Sequence, residues 1–199
     1  MARRNDHTRG QIREMALQAA ETIVSTEGLS GLSARKISRD MGYTVGTLYL
    51  VFRNLDELVL ALNARTLDEL HRRMTDAAAR SSEPLERVGG LAQAYLGFAQ
   101  DHRHRWEMIY EHRLPEGEPL PDWYRDKIAR VFALVEQALA PLADRYEPAH
   151  ITQAARALWG GVHGICILAL TGKLDVAGEA RAPALVDSLV RNYLRGLGQ

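Results

Sequence analysis

The chain has 199 residues, of which 46% are hydrophobic and 25% charged, so it can bury a sizeable core in one large or two small domains. Its single cysteine, Cys166, excludes an internal disulfide and is typical of proteins from a reducing compartment. The net charge is zero, so the total charge gives no sign of a nucleic-acid partner.

The charge is, however, distributed unevenly. Residues 1–55 carry eight Lys and Arg against five Asp and Glu, which leaves 17 against 20 for the remainder. A basic end beside an acidic body is typical of proteins that bind nucleic acid, although such a small excess also arises by chance. The longest apolar run, 157–170, is shorter than the roughly 20 residues that span a bilayer. No apolar stretch follows Arg3 and Arg4, so we expect no signal peptide, no membrane partner and a cytoplasmic location.

Periodic apolar residues predict helices along most of the chain. In the first segment they recur three or four apart and end at Gly28, which predicts a helix that stops there. Ser33 is a favourable N-cap for a second helix, Gly42 breaks that helix, and Thr44 caps a third that continues to about Leu50. The later helices are predicted at 56–80, 85–100, 102–114, 121–142, 148–170 and 183–197.

No alternation typical of strands is present in the sequence, so the predicted fold class is all-α, with about nine helices in two unequal parts. Polar connections are predicted at Pro115–Pro121 and Lys173–Arg181.

The segment Ser33–Phe52 combines two short helical patterns that meet at one glycine. This is the pattern of a helix-turn-helix, which places its second helix in the DNA major groove. The positions predicted to face inward are Ile37, Met41, Leu48 and Phe52. The positions predicted to face outward are Thr44, Val45, Gly46, Thr47 and Tyr49. Threonine and tyrosine hydroxyls suit phosphate, a threonine methyl can contact thymine, and a glycine lets the backbone approach closely.

The run GYTVGTLYLVFRNLDEL, from Gly42 to Leu58, resembles the tetracycline-repressor (TetR) family of bacterial regulators. The turn glycine, the Gly-Thr-Leu-Tyr run, the Phe and the following Asn-x-x-x-Leu stand in that family's register. The resemblance implies a three-helix DNA-binding domain at 1–55 and a larger helical domain at 56–199 for ligand binding and dimerisation. It also implies DNA contacts by Thr44, Gly46, Thr47, Tyr49 and Arg53, with Ser33 and Arg35 at the start of the second helix.

Two positions depart from the family pattern. Val51 stands where the family often has a histidine, and Leu55 where it often has a lysine. Both family residues can touch phosphate, so this chain has fewer phosphate anchors. The arginines that would compensate are Arg3, Arg4, Arg9 and Arg53.

The resemblance implies that the larger domain holds a small, mostly apolar ligand. Aromatic residues concentrate there, and a ligand cavity is typically apolar with a few polar groups. Each of these residues is equally suited to filling a helical core. The candidate ligand-binding residues are Tyr95, Phe98, Trp106, Tyr110, Phe132, Trp159 and His163.

The run Trp159–Gly164 (WGGVHG) stands apart within this domain. Trp159 and His163 are four residues apart and share a helix face. Its three glycines each cost a helix ~1 kcal/mol relative to alanine, which indicates close approach by a helix, a ligand or a symmetry mate. The run resembles a Trp-His-Gly signature in one TetR subgroup. His163 is either a ligand-orienting residue or a hydrogen-bonded core histidine.

The last two helices carry apolar stripes suited to a four-helix seam between two subunits. The candidate interface residues are Ile165, Leu168, Val186, Leu189, Val190 and Tyr193. A homodimer would place two reading helices on a palindromic double-stranded operator.

Enzyme and metal functions are disfavoured. His102, His104 and His112 are too differently oriented and too close to arginines to form a metal site, and Cys166 lies in an apolar run where a thiol stays protonated. No phosphate loop or hydrolase motif occurs in the sequence, so we predict no cofactor. The leading hypothesis is a ligand-responsive repressor. The alternative is a helical small-molecule-binding protein whose N-terminal motif serves packing or protein docking.

Overall fold

The computed structural model describes residues 7–142, 148–174 and 181–197. Within these ranges the chain forms nine α-helices and no strand, as the sequence predicts. They are α1 (Arg9–Glu27), α2 (Ala34–Met41), α3 (Val45–Tyr49), α4 (Leu55–Ala78), α5 (Pro84–Asp101), α6 (Arg103–Glu111), α7 (Asp122–Leu139), α8 (Pro148–Leu170) and α9 (Ala182–Leu197). Short 3-10 turns lie at Leu29–Gly31 and Ala140–Leu142. Arg3, Arg4 and most of the predicted connection Lys173–Arg181 fall outside the described residues.

As the sequence predicts, α1 stops at Gly28, α2 follows Ser33 and is closed by Gly42, and α3 follows Thr44. Ser33 and Thr44 are extended N-caps, and the hydroxyl of each accepts a hydrogen bond from the backbone three residues on. Gly28 and Gly42 close α1 and α2 with φ angles of 71° and 72°, which favour glycine over residues that carry a Cβ. The turn between α2 and α3 is therefore set locally.

A compact core holds these helices together. All four positions predicted to face inward (Ile37, Met41, Leu48 and Phe52) are buried against α1 and the start of α4. Ser38 is buried beside them, where a small side chain lets α2 and α3 lie close to each other. Burying an aromatic side chain such as Phe52 contributes roughly 1.5–3 kcal/mol to folding.

Arg13 on α1 fixes the end of α3 and the start of α4. Its Nη1 donates to the Val51 carbonyl at 2.8 Å and to Glu57 Oε1 at 3.1 Å, and its guanidinium lies 4.1 Å from the centre of the Phe52 ring. The Glu57 backbone N–H donates in turn to Asn54 Oδ1 at 2.8 Å, which caps α4. The helix-turn-helix is thus tied to the helix that follows it.

Packing divides the chain into two compact units. The first combines the described residues up to Thr66 with His104–Tyr124, and the second combines Leu67–Arg103 with the described residues from Arg125 onward. This grouping differs from the predicted division at residue 55, because the first turns of α4 and nearly all of α6 pack with α1. The predicted division concerned functional roles, which packing leaves untested, so it stays a prediction.

Polar contacts hold α6 in the first unit. Arg105 Nη1 lies 3.0 Å from Glu21 Oε1 on α1, and the Asn63 side-chain amide on α4 donates to the Met108 carbonyl at 3.4 Å. His104 lies within hydrogen-bond distance, 3.2 Å, of the Ser25 carbonyl. Helix α6 therefore packs against α1 and the first half of α4.

In the second unit, α5, α8 and α9 pack against one another. A Cβ placed at Gly161 would lie 2.7 Å from Leu189 Cδ2, so this glycine permits the close approach of α8 and α9. The close approach that the glycine run predicts is thus confirmed at Gly161. A Cβ at Gly160 or at Gly164 would meet no described atom within 4 Å.

Candidate functional site

Helix α3 buries one face and presents the other to solvent. Leu48 is buried on the inner face, whereas Tyr49 is 47% exposed. The exposed or half-exposed residues of the outer face are Thr44, Val45, Gly46, Thr47 and Tyr49. This is the face that a helix-turn-helix offers to DNA.

Thr44 has a structural role that is compatible with a second contact. Its Oγ1 accepts a hydrogen bond from the Thr47 backbone N–H at 3.3 Å and lies 3.1 Å from Thr47 Oγ1. A hydroxyl can donate one hydrogen bond and accept others, so the cap leaves capacity for a phosphate oxygen. The two threonines form a paired set of hydroxyls at the start of α3.

Nothing in the described protein requires glycine at position 46. A Cβ there would lie 3.7 Å from Thr44 Oγ1, an ordinary van der Waals distance, and its φ is not positive. Glycine is a poor helix former, so its presence in α3 has a stability cost that the fold does not explain. The missing side chain leaves the backbone of α3 open on its solvent-facing side.

Three further residues flank this face. Ser33 is exposed and caps α2, Arg35 is exposed in the first turn of α2, and Arg53 is exposed just beyond α3. Arg53 Nη2 lies 3.7 Å from Glu118 Oε2 in the connection between α6 and α7. This acidic neighbour could not be predicted from the sequence, because the two residues are 65 positions apart.

A small apolar cavity lies within the second unit, between α4, α5, α7 and α8. Its volume is about 30 Å³, room for about two water molecules. The described residues that line it are Met74, Val88, Leu91, Ala92, Tyr95, Val131, Phe132, Val135, Leu158, Trp159 and Val162. None of these side chains is charged.

Tyr95 and His163 form a polar pair at this cavity. The Tyr95 hydroxyl lies 2.9 Å from His163 Nδ1, a hydrogen bond whose direction depends on the imidazole tautomer. The His163 ring stacks on Trp159 with a centroid distance of 5.0 Å, and Trp159 packs edge-on against Phe132 at 5.4 Å. Burial lowers the pKa of His163 below its usual value, so the imidazole is neutral at neutral pH.

The structure brings together four of the seven candidate ligand-binding residues. Tyr95, Phe132 and Trp159 line the cavity, and His163 contacts two of them. The other three do not line this cavity. Phe98 is buried against His102 and Arg73, whereas Trp106 and Tyr110 pack against each other on α6 in the first unit. The aliphatic lining residues were missed, because their sequence pattern is that of ordinary core.

The candidate dimer residues also fall into two groups. Ile165 is half-buried and Leu168 is 42% exposed, so α8 presents apolar surface. Leu189 and Tyr193 are half-buried. Val186 and Val190 are at most 2% exposed within a single protomer, where they are buried in the second unit. Their role at an interface stays a prediction.

Exposed Ile167 also lies on the α8 surface, at a position that the sequence analysis did not name. It follows helical spacing along one side of α8 with Gly160, half-buried Gly164 and Leu168, and Thr171 continues this spacing just past the end of the helix. Two glycines and two large aliphatic residues on one exposed stripe would let another helix approach closely.

The three histidines considered as metal ligands have separate partners. His102 lies 2.8 Å from Arg73 Nη2, His104 contacts the Ser25 carbonyl, and His112 lies 2.9 Å from Asp56 Oδ1. Among the described residues no cluster of three His, Cys, Asp or Glu has a geometry suited to a metal ion. Burial raises the pKa of the Cys166 thiol to about 12, so it stays protonated. Within the described ranges, every helix is too short or too polar to cross a bilayer.

Comparison with known proteins places these features in a family. Residues 16–62 match the family model described as bacterial regulatory proteins of the tetR family. Residues 88–193 match the model described as the C-terminal domain of tetracyclin repressor-like proteins.

Individual relatives agree with this match. The HTH-type transcriptional repressor KstR2 of Mycolicibacterium smegmatis is 30% identical over 111 residues, which are 56% of this chain and 54% of that protein. The chain therefore spans about half the length of this curated relative. A protein of unknown function from Rhodococcus sp. RHA1 has the same fold, with a TM-score of 0.81, 25% identity, and coverage of 99% of this chain and 100% of that chain.

A more distant structure extends the comparison of folds. The transcriptional regulator FadR from Bacillus subtilis, solved in complex with stearoyl-CoA, has a TM-score of 0.66 at 14% identity and covers 92% of this chain and 98% of its own. That likeness concerns the fold alone. Together, the two family matches and the helix-turn-helix geometry show that the chain belongs to the TetR family of bacterial transcriptional regulators.

Proposed function

We propose that this protein is a cytoplasmic, ligand-responsive transcriptional repressor that binds a palindromic operator as a homodimer. The observation that carries the proposal is the outer face of α3, where two hydroxyls, a glycine backbone and an exposed tyrosine stand on a helix locked by Arg13. A rigid scaffold with an exposed polar helix suits base reading better than it suits packing. Because the chain belongs to a family of regulators, we expect it to have no catalytic activity.

Each residue of the face has a proposed role. Thr47 and Val45 reach base edges, where a methyl group or a hydroxyl distinguishes bases. Thr44, Tyr49 and Arg53 contact phosphates, which fix the register of the protein on the duplex. Gly46 lets the α3 backbone approach the DNA, and Ser33 and Arg35 contact the backbone from the start of α2.

Dimerisation through α8 and α9 would supply the two-fold symmetry that a palindrome requires. The exposed stripe of Gly160, Gly164, Ile167, Leu168 and Thr171 supports this proposal. Ile165, Leu189 and Tyr193 would lie at its edges.

Ligand binding in the second-unit cavity would regulate DNA affinity. A ligand shifts a conformational equilibrium only if it prefers one state over the other. The present cavity of about 30 Å³ is far smaller than the several hundred Å³ that typically hold a small molecule, so a ligand must open it. The state that binds the ligand therefore differs from this one, and we propose that it has the lower affinity for DNA.

A titration of the purified protein against the DNA upstream of its own gene tests the DNA-binding role. We expect a discrete shifted band at low salt that persists in the presence of excess unrelated duplex. No shift at low salt, where backbone contacts are strongest, would favour the alternative in which the N-terminal motif only docks protein.

Tyr49→Phe is expected to weaken binding to operator and to unrelated DNA by a similar factor of about 2–10, because it removes one hydrogen bond to phosphate. Tyr49 is largely exposed, so the melting temperature should not change. Fluorescence anisotropy with the operator and the unrelated duplex measures the two DNA affinities. Tyr110→Phe, which removes the hydroxyl of a 37% exposed tyrosine on α6, serves as the matched control. Unchanged affinity for both duplexes would remove Tyr49 from the phosphate contacts.

Glu118→Gln is expected to raise DNA affinity about two- to threefold at low salt, with the gain lost at high salt. The Glu118 carboxylate lies beside Arg53 and would compete with a phosphate for the guanidinium. Anisotropy across a salt series measures the effect. Glu116→Gln removes the same charge two residues away and is the control. An equal gain in both variants would show a general charge effect and contradict a specific role for the pair.

A further inference from the structure

The part of the second-unit cavity wall that the structure describes has few polar groups. Among the described lining residues, the Tyr95 hydroxyl and the Trp159 indole N–H are the polar side-chain groups. Uncharged groups in an apolar wall fix the orientation of a ligand without neutralising a charge on it. A ligand that fits this wall is therefore mostly apolar.

The residue that contacts Tyr95 further restricts the charge that a ligand can carry. His163 lies 2.9 Å from the Tyr95 hydroxyl and is half-buried against the Trp159 ring. Because burial favours the neutral imidazole, the pair carries no net charge at neutral pH. A hydroxyl and a neutral imidazole can exchange hydrogen bonds with a hydroxyl or carbonyl group, but they offer no cation to a carboxylate.

Among the described residues, Arg156 places a positive charge against one of the lining rings. The guanidinium of Arg156 sits 3.9 Å from the centre of the Phe132 ring, and its Nη1 donates to Glu136 Oε1 at 2.9 Å. Glu136 thus balances this charge beside the cavity. An anionic ligand that used Arg156 would have to break this pair, and an unpaired charge is costly in an apolar site.

We infer that this cavity selects an uncharged, mostly apolar ligand that carries a hydroxyl or carbonyl group, and that the Tyr95–His163 pair recognises this group. The inference rests on the proposed function, in which the cavity is the effector site. Trp159 and Phe132 supply the aromatic surface on which such a ligand packs, and Met74 is a flexible lining residue that can move as the cavity opens.

Calorimetric titration of the full chain at neutral pH with matched probes tests the inference. Naphthol, naphthalene and naphthoate share one ring system and differ in having a hydroxyl, no polar group or a carboxylate. Octanol and octanoate repeat the comparison on a flexible chain. In at least one set, the alcohol should bind at least about tenfold tighter than the carboxylate, because a buried unpaired charge is costly. Naphthol should exceed naphthalene about two- to tenfold, the contribution of one hydrogen bond.

Two tyrosine variants assign the hydroxyl contact. Tyr95→Phe keeps the ring that lines the cavity and removes the hydroxyl, so it should reduce naphthol affinity to that of naphthalene and leave naphthalene unchanged. Tyr43→Phe removes a hydroxyl in the first unit, where it lies 2.6 Å from His7, and should bind every probe like the unmodified chain. The melting temperature of each variant checks that the fold persists.

Three outcomes would overturn the inference. The carboxylates could bind as tightly as the alcohols, as expected if Arg156 recruits an anion. The preference for naphthol could survive in Tyr95→Phe. All five probes could also fail to bind, which would mean that the cavity does not open for neutral apolar molecules. The DNA titration requires no ligand, so its result judges the proposed regulator role separately.

Discussion

Gly46→Ala is expected to stabilise the folded protein and to weaken operator binding at least tenfold. The two effects have opposite signs because the same methyl group favours the helix in the free protein and obstructs its approach to DNA. Alanine is a better helix former than glycine by up to ~1 kcal/mol, and the added Cβ meets only Thr44 Oγ1 at 3.7 Å. A gain of this size corresponds to a rise of about 2–4 °C in melting temperature for a chain of this length.

The loss of DNA affinity has a steric origin. The proposed role of Gly46 is to let the α3 backbone approach the groove, and a methyl group on this face would hold the helix away from the duplex. Several neighbouring contacts, including those of Thr47 and Tyr49, would then lengthen together. A single substitution can therefore cost more than one hydrogen bond, and each factor of ten corresponds to about 1.4 kcal/mol.

Calorimetry and operator anisotropy on the same preparation measure both effects. Gly89→Ala is the matched control, since a Cβ on this α5 glycine would meet nothing within 4 Å and the residue lies in the second unit. It should stabilise the chain similarly and leave operator affinity unchanged. If Gly46→Ala bound operator as tightly as the unmodified chain, the backbone of α3 would not approach DNA at this position.

Local signals explain why the DNA-binding end was predictable in detail. Ser33 and Thr44 cap helices through contacts only three residues long, and Gly28 and Gly42 adopt positive φ angles that other residues avoid. These effects act within one turn, so they can be read directly from the sequence. The four inward positions from Ile37 to Phe52 followed from helical spacing in the same way.

The proposed ligand cavity was predictable only in part, because aromatic composition does not specify which rings share a wall. Both Trp106 and Trp159 were predicted to line the cavity. Trp106 instead packs against Tyr110 in the first unit, whereas Trp159 lines the cavity. That difference depends on how α5, α7 and α8 meet, which involves residues far apart in the chain. The contact of Glu118 with Arg53 could not be predicted for the same reason, since it depends on the path of the loop after α6.

The exposed stripe on α8, which we propose as the dimer surface, shows a different limit of prediction from sequence. Helical spacing identifies an apolar face but does not say whether the same chain or a second copy covers it. Val186 and Val190 are covered within the protomer, while Ile167 and Leu168 stay exposed on α8. The packing of α9 on α5 and α8 separates the two groups.

Leu168→Glu is expected to convert the proposed dimer to a monomer and to lower operator affinity at least about 100-fold. In a two-fold interface each substitution appears twice, so the variant places two carboxylates in the same apolar seam. Burying an unpaired charge is costly, and the pair of like charges adds repulsion. A single helix-turn-helix then binds one half-site and loses the contribution of the second.

Leu168 is 42% exposed in the protomer, so the carboxylate should be accommodated in the monomer and the helical content should stay the same. Sedimentation velocity and operator anisotropy measure the two effects, and circular dichroism checks the fold. Leu85→Glu introduces the same charge at a residue of α5 that is 47% exposed, and it should remain dimeric with full operator affinity. A Leu168→Glu variant that sediments as a dimer and binds operator normally would place the subunit interface elsewhere. If it were monomeric but bound operator with unchanged affinity, one copy of α3 would suffice for recognition. That result would contradict the proposal that a dimer binds a palindromic operator.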